Sequence, residues 1–238
     1  MVIDNLYESK PSIIWKYSTV SKNWLPRIRK HLFNLVTFVG WGDLNKWLST
    51  FKVDRSGVSQ YVRQARWFDI ETLVNFKNHL EHFTKVEQAH FSDCGTFRSF
   101  DELEPLRSLG SHLVRLEIYR ITTTPRIMAS LREYFPRLCQ LFAEELRFKD
   151  DDSPPLGAET PGITLFEGAD EMTLVCGWGQ PVRLDWISPT AQFKKLTVGG
   201  AYVREHPEAV NNLIASSGKS LTHICIKGTY ERTHLDST

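Results

Sequence analysis

The chain has 238 residues, of which 41% are hydrophobic and 24% charged, and its formal net charge is +1. That composition supports a folded core, as one extended unit or two small domains, and near-neutrality gives no reason to expect a nucleic acid or a membrane surface as partner. No apolar run approaches the roughly 20 residues of a membrane span and no signal-peptide pattern opens the sequence, so the expected location is cytoplasmic and/or nuclear.

In chain order, Val2, Ile3 and Leu6 suit one face of a first helix. Pro11 suits a first helical position, with Ile13, Ile14 and Tyr17 following at helical spacing. Ser21 reads as the N-cap of a helix striped by Trp24, Leu25, Ile28 and Leu32, where Pro26 is tolerated because it falls in the first turn. Residues 1–40 carry an excess of positive charge that a solvated helical face explains.

The run Val20-Ser21-Lys22-Asn23-Trp24-Leu25-Pro26-Arg27, followed by His31-Leu32-Phe33, resembles the C-terminal half of an F-box as found in many fungal F-box proteins. Val2-Ile3-Asp4-Asn5-Leu6 looks like the helix just before it. The resemblance implies an F-box-like helical segment over residues 1–35 that engages the Skp-type adaptor of a cullin–RING (SCF-type) ubiquitin ligase. It makes Ile3, Leu6, Val20, Trp24 and Leu25 the adaptor-binding residues, and implies that a repeat domain behind them holds a target protein. The Leu-Pro pair that normally opens the F-box does not precede Val2. The alternative expectation is therefore a truncated family member acting as a plain protein-interaction solenoid with no ubiquitin link.

From residue 33 onward one pattern recurs. His112-Leu113-Val114-Arg115-Leu116-Glu117-Ile118-Tyr119 reads L-x-x-L-x-L, the strand unit of a leucine-rich repeat, and one such unit cannot bury its apolar side alone. Leu138/Leu141/Ala143, Phe193/Leu196/Val198 and Leu221/Ile224/Ile226 fit the template well. Phe33/Val36/Phe38, Val62/Ala65/Trp67, Val86/Ala89/Phe91 and Ala169/Met172/Leu174 fit more loosely. Successive first marks stand 29, 24, 27, 25, 31, 24 and 28 residues apart. The expected fold over 36–238 is thus α/β, a degenerate leucine-rich-repeat solenoid with a parallel sheet on one face and helices on the other. Strands are expected near 62–67, 86–91, 113–118, 138–143, 169–174, 193–198 and 221–226. A non-repetitive α/β domain with short strands is the competing reading.

Between these marks, Gly40 and Gly42 punctuate a loop, and Asp43 can cap a helix marked by Leu44, Trp47, Leu48 and Phe51. Leu73, Val74, Phe76 and Leu80 mark another. Thr124 is a plausible N-cap with Pro125 at the first helical position, and Ile127, Met128, Leu131 and Tyr134 supply a buried face that Pro136 ends. The last helix starts near Pro207, uses Val210, Leu213 and Ile214, and stops by Gly218; residues 231–238 read as a frayed tail. Cys94 falls where the repeat consensus has its Asn or Cys, but the equivalents include Ile121, Leu146, Gly177, Ala201 and Thr229, so irregular turns are expected. Cys94, Cys139, Cys176 and Cys225 form no C-x-x-C pair and read as buried reduced thiols. Residues 144–171 are strongly acidic. Their Asp150-Asp151-Asp152 run lacks the ligand spacing of a calcium loop and reads as a solvated insertion, not a metal site.

Motifs of nucleophilic, metal-dependent or phosphate-binding catalysis (G-x-S-x-G, H-E-x-x-H, G-x-x-x-x-G-K-[ST]) are missing from the sequence. The expectation is a protein with no catalytic residues, cofactor or metal, against a competing enzyme whose site assembles only in space. What the repeat provides is a surface. Residues alternating with the apolar marks share the opposite side of the sheet, and among them Arg66, Phe68, His90, Arg115, Tyr119 and Phe142 are the expected target-binding residues, since interface anchors are typically aromatics and arginines. An ordinary solvated sheet face is the competing reading.

Overall fold

A computed structural model describes residues 16, 21–51, 57–70, 80–97, 104–148, 170–176, 193–199, 203–204 and 207–227. The first helix, α1 (Leu25–Phe33), follows a turn in which the Trp24 N–H donates to the Ser21 carbonyl (3.0 Å). Ser21 therefore closes the preceding turn, its hydroxyl accepting from the Asn23 N–H (3.3 Å), and Trp24 rather than Ser21 occupies the cap position. Pro26 sits within the first turn, where a missing N–H costs no hydrogen bond.

Asn34 alone separates α1 from strand β1 (Leu35–Val39), and helix α2 (Gly40–Phe51) begins directly after it. The loop expected across Gly40 and Gly42 is not present. Gly40 takes the left-handed conformation (φ 66°) that swings the chain out of the strand, and Asp43 accepts a hydrogen bond from the Val39 N–H (3.2 Å), tying the helix start to the strand end.

The remaining elements are a 3-10 turn (Val58–Tyr61), β2 (Gln64–Phe68), β3 (Gln88–Ser92), a second 3-10 turn (Glu104–Leu109), β4 (Arg115–Tyr119), β5 (Thr122–Thr123), α3 (Pro125–Tyr134), β6 (Gln140–Phe148), β7 (Glu171–Cys176), β8 (Lys195–Gly199), α4 (Pro207–Ser217) and β9 (His223–Lys227). The fold is α/β. The nine strands among the described residues form an open, all-parallel arrangement in the order β1-β2-β3-β4-β6-β7-β8-β9, with β5 paired to the far end of β6. Apart from the two-residue β5, each strand pairs with the next one along the chain, as parallel strands joined by crossovers commonly do.

The joins are in step. Leu35 pairs with Gln64, Gln64 with Gln88, Gln88 with Arg115, Arg115 with Gln140, Gln140 with Glu171, Glu171 with Lys195, and Lys195 with His223. Each of these residues lies two positions after an apolar first mark. The spacing read from the sequence is therefore the spacing of residues that pair, while the strands themselves begin about two residues later than expected. Phe33 ends α1, whereas the first marks Val62, Val86, Leu113, Leu138, Phe193 and Leu221 lie in the bends. There a single carbonyl accepts from two consecutive N–H groups of the next turn of chain: Arg63 O from Glu87 and Gln88, Glu87 O from Val114 and Arg115, Val114 O from Cys139 and Gln140.

A second regularity follows the outward rows of β1, β2, β3, β4 and β6. The residue after the last outward position is left-handed: Gly40, Asp69 (φ 54°), Asp93 (φ 55°), Arg120 (φ 53°) and Glu145 (φ 53°). At Asp69, Asp93 and Arg120 its N–H donates to the neighbouring strand's last carbonyl, those of Ser92, Tyr119 and Glu144. From Asp69 onward the following residue turns inward and is buried, as Ile70, Cys94, Ile121 and Leu146 are. After β2, β3, β4 and β6 the turns are thus uniform where irregular ones were expected, while the equivalent positions 177, 201 and 229 lie outside the described residues. On β6 the left-handed Glu145 is a bulge within a continuing strand, so this strand runs to nine residues.

The core lies under one face of the sheet. Val36, Ala65, Ala89, Leu116, Leu141, Met172 and Leu196 form one buried row, and Phe38, Trp67, Phe91, Ile118, Ala143 and Val198 the next. The small Ala65 and Ala89 leave room for the large Trp67 and Phe91, which stack at 4.8 Å and 8°. Phe83 meets Phe38, Trp47 and Trp67 within 6.1 Å. Helix α3 is capped as expected, Thr124 accepting from the Ile127 N–H (3.3 Å), and α4 has the expected bounds. Two of the described thiols depart from expectation. Cys94 is buried, but Cys139 is only partly covered and Cys225 is exposed, because β9 is the last strand of the described sheet and points Cys225 away from the core. The expected helices around Ile3, Pro11 and Leu73–Phe76, the acidic loop 150–157 and the 231–238 tail lie outside the described residues.

Candidate functional site

Residues alternating with the core rows form three rows on the opposite face. Their central stretch, from β2 to β6, brings four of the expected target-binding residues into one chain of contacts. The Phe68 ring lies 5.1 Å from the His90 ring. The His90 Nδ1–H donates to Glu117 Oε2 (2.8 Å), and Arg115 directs Nε and Nη2 to Glu117 Oε1 (2.6 Å each). The Arg115 guanidinium then covers the Phe142 ring at 4.1 Å. Register explains the sequence of contacts: His90 pairs with Glu117 across β3–β4, and Glu117 with Phe142 across β4–β6.

Glu117 is the hub, and both its oxygens are engaged. Its carboxyl is held down to about 2, first by the hydrogen bond from His90 and then by Arg115, against the opposing effect of partial burial. All five residues are half-buried, so the cluster is a preformed, partly desolvated surface rather than a set of free side chains.

Tyr119 belongs to a different group. Its hydroxyl donates to Glu145 Oε1 (2.8 Å), and Arg120 Nε donates to Glu145 Oε2 (2.8 Å) while the guanidinium lies 4.8 Å from the Tyr119 ring. The bond to Glu145 pushes the Tyr119 phenol above its ordinary value. Burial opposes ionisation of Glu145, but the Arg120 and Tyr119 bonds prevail and lower it. Arg120 and Glu145 are also two of the left-handed corner residues, a conformation that costs a non-glycine residue about 1 kcal/mol. Pairing across the corner lets the two strained residues fix each other.

Arg66 stands apart, exposed and in register between Thr37 and His90. The other arginines and lysines on the outward rows each meet a carboxylate: Arg115 with Glu117, Lys195 with Glu171 (2.8 Å), and Lys227 with Glu144. The last of these pairs spans β6 to β9, about 14 Å on a flat sheet, so the outward face is concave there, and Gly199 puts no side chain in the way.

Of the expected adaptor-binding residues, Trp24 and Leu25 are half-buried at the start of α1, whereas Ile3, Leu6 and Val20 lie outside the described residues. Sequence reasoning did not single out Glu117, Arg120 or Glu145 as site residues. The alternation placed Glu117 on this face, but its role depends on which residue stands opposite, which only register decides. Among the described residues, no group of three or more His, Cys, Asp or Glu is placed to hold a metal ion, and no helix is long and apolar enough to cross a membrane. No protein-family model matches the chain, and no curated protein matches it in sequence.

Proposed function

We propose that this chain is a non-catalytic recognition module. In this reading it is a degenerate leucine-rich-repeat solenoid whose outward sheet face binds a target protein, preceded by an F-box-like segment that docks to the Skp-type adaptor of a cullin–RING (SCF-type) ubiquitin ligase in the cytoplasm or nucleus. The observation that carries the binding role is the half-buried Phe68–His90–Glu117–Arg115–Phe142 cluster on an in-register face. Aromatic and arginine side chains already held in place lose little entropy on binding, which is what an interface anchor needs. The same cluster argues against turnover. Glu117 is saturated by two donors, and the nearby Ser92 hydroxyl donates to Asp93 (2.8 Å) rather than to the His90 ring, so the described face offers no activated nucleophile. The solenoid reading is supported by the in-step register and by a main strand path that follows chain order.

A second reading, an interaction solenoid with no ubiquitin link, is favoured by one feature of α1. Ile28 is fully buried and the helix packs on the Val58–Tyr61 turn, as an end cap of the repeat domain would. Titration calorimetry of the full chain against a purified Skp-type adaptor separates the two. The ligase reading expects saturable binding at micromolar concentration that weakens on Trp24→Ala. A folded chain that shows no heat at high micromolar adaptor leaves the interaction-only reading.

A further inference from the structure

Among the described residues, five large hydrophobic side chains are exposed. Leu32 and, on β1, Leu35 (41%) and Val39 (54%) stand at one end of the sheet, and Ile224 and Ile226 on β9 at the other. The two ends differ in kind. The β9 pair belongs to the core rows, whereas Leu35 and Val39 lie on the outward face, where most residues are polar and the apolar ones on β2 and β6 are the aromatic Phe68 and Phe142. Leu35 pairs in register with Gln64 and Val39 with Phe68, so an apolar patch flanks the site already described. Between them, on the middle row, is Arg66, the one arginine or lysine on the three outward rows that, among the described residues, has no carboxylate partner. An exposed, uncompensated guanidinium beside aliphatic and aromatic surface is a local imbalance of charge, and a carboxylate beside an apolar side chain restores it.

We propose that the β1–β3 end of this face receives a peptide segment of a partner protein that carries an aspartate or glutamate next to a bulky apolar residue. The carboxylate pairs with Arg66, and the apolar side chain rests on Leu35, Val39 and Phe68. The acidic corner residues Asp69 and Asp93 border this patch at the strand ends, so the carboxylate approaches over the middle row, away from them. The proposal rests on the reading of this face as the target-binding surface and adds the chemistry of what it binds.

The test uses the full chain and a random 12-residue peptide library displayed on phage, panned in parallel on the wild type and on Arg66→Glu. Both changes tested at Arg66 and Leu35 are at exposed positions, and retention of the wild-type circular dichroism spectrum checks the fold. The wild type is expected to enrich peptides with Asp or Glu beside Leu, Ile or Phe. Their affinity should fall at least tenfold on Arg66→Ala and several-fold on Leu35→Ser, and Arg66→Glu should enrich Lys or Arg instead. No enrichment, or enriched peptides indifferent to both substitutions, overturns the proposal. The adaptor titration does not involve this face. Adaptor binding without Arg66-dependent peptides removes this inference alone, and Arg66-dependent peptides without adaptor binding leave it standing on an interaction-only module.

Discussion

Leu116 and Ile224 occupy the same row of the same pattern, and the structure makes them unequal. Leu116 is 1% exposed and lies between Ala89 on β3 and Leu141 on β6, whereas Ile224 is 47% exposed and, among the described residues, has a register partner, Leu196, on one side only. Leu116→Ala removes a buried isobutyl group where the adjacent Ala89 is too small to fill the space, so the cavity persists. The cost is about 2–5 kcal/mol. Ile224→Ala removes a side chain about half in water and encloses no cavity, which puts its cost at about 1 kcal/mol. Guanidinium unfolding followed by circular dichroism measures both, provided the slope with denaturant stays constant, so that a midpoint shift reports stability. A Leu116→Ala cost below about 0.5 kcal/mol, the scale of surface changes, would show that the row is not core. An Ile224→Ala cost equal to that of Leu116→Ala would refute the bare edge.

Further predictions concern charge, capping, corners and thiols. Glu117 titrates near 2 when folded against an ordinary 4.5, so on acidification the unfolded chain takes up the proton first. Its contribution is complete above pH 4.5 and lost as pH falls from there towards 2. At about 1–2 kcal/mol after solvent screening, it should disappear from the acid stability profile in Glu117→Gln, and an unchanged profile would refute the coupling. Thr124→Ala should cost about 1 kcal/mol by denaturant unfolding, through loss of the bond to the Ile127 N–H. At the left-handed Asp69 corner, Asp69→Gly should be near neutral, whereas Asp69→Val should destabilise by about 1–2 kcal/mol, since a β-branched residue resists positive φ. A colorimetric disulfide reagent should label the exposed Cys225 in the folded protein and Cys94 only on unfolding, because burial pushes the Cys94 thiol up to about 11.

Strand phase was the most legible property of the sequence, because alternation alone decides which side chains share a face. The spacing of Val62, Val86, Leu113 and Leu138 therefore carried over to the paired residues Gln64, Gln88, Arg115 and Gln140 without a slip. Boundaries were less legible. The first marks Val62, Val86, Leu113 and Phe193 are buried but lie in bends, and hydrophobicity does not distinguish a buried bend from a strand. Gly40 read as a loop because glycine punctuates chains, whereas here a single left-handed residue passes directly from strand to helix. The Tyr119–Arg120–Glu145 group was illegible for another reason: it depends on a corner conformation that Arg and Glu seldom adopt, at positions 25 residues apart. Ile224 carries the same local signature as its buried counterparts Leu116 and Leu196 yet is 47% exposed, whereas Cys225 stands on the outward face, where its phase in the strand puts it.

The in-step joins also set rules for how the gene can change length. Every strand on the main path outside β6 and β7 is five residues long and matched residue for residue to its neighbours, while the segments between strands differ freely in length. One codon gained or lost inside a strand acts like a local frameshift in three dimensions: side chains beyond it exchange faces, and a Trp67 or an Ile118 is delivered to water while an Arg66 or a Glu117 is driven inward. The same codon between strands is absorbed by a bend. Length variation among descendants of this gene should therefore gather in the stretches 40–63, 69–87, 93–114 and 149–170, and removal of one whole unit, such as 88–114, would bring Arg115 into register with Gln64 and leave both faces intact.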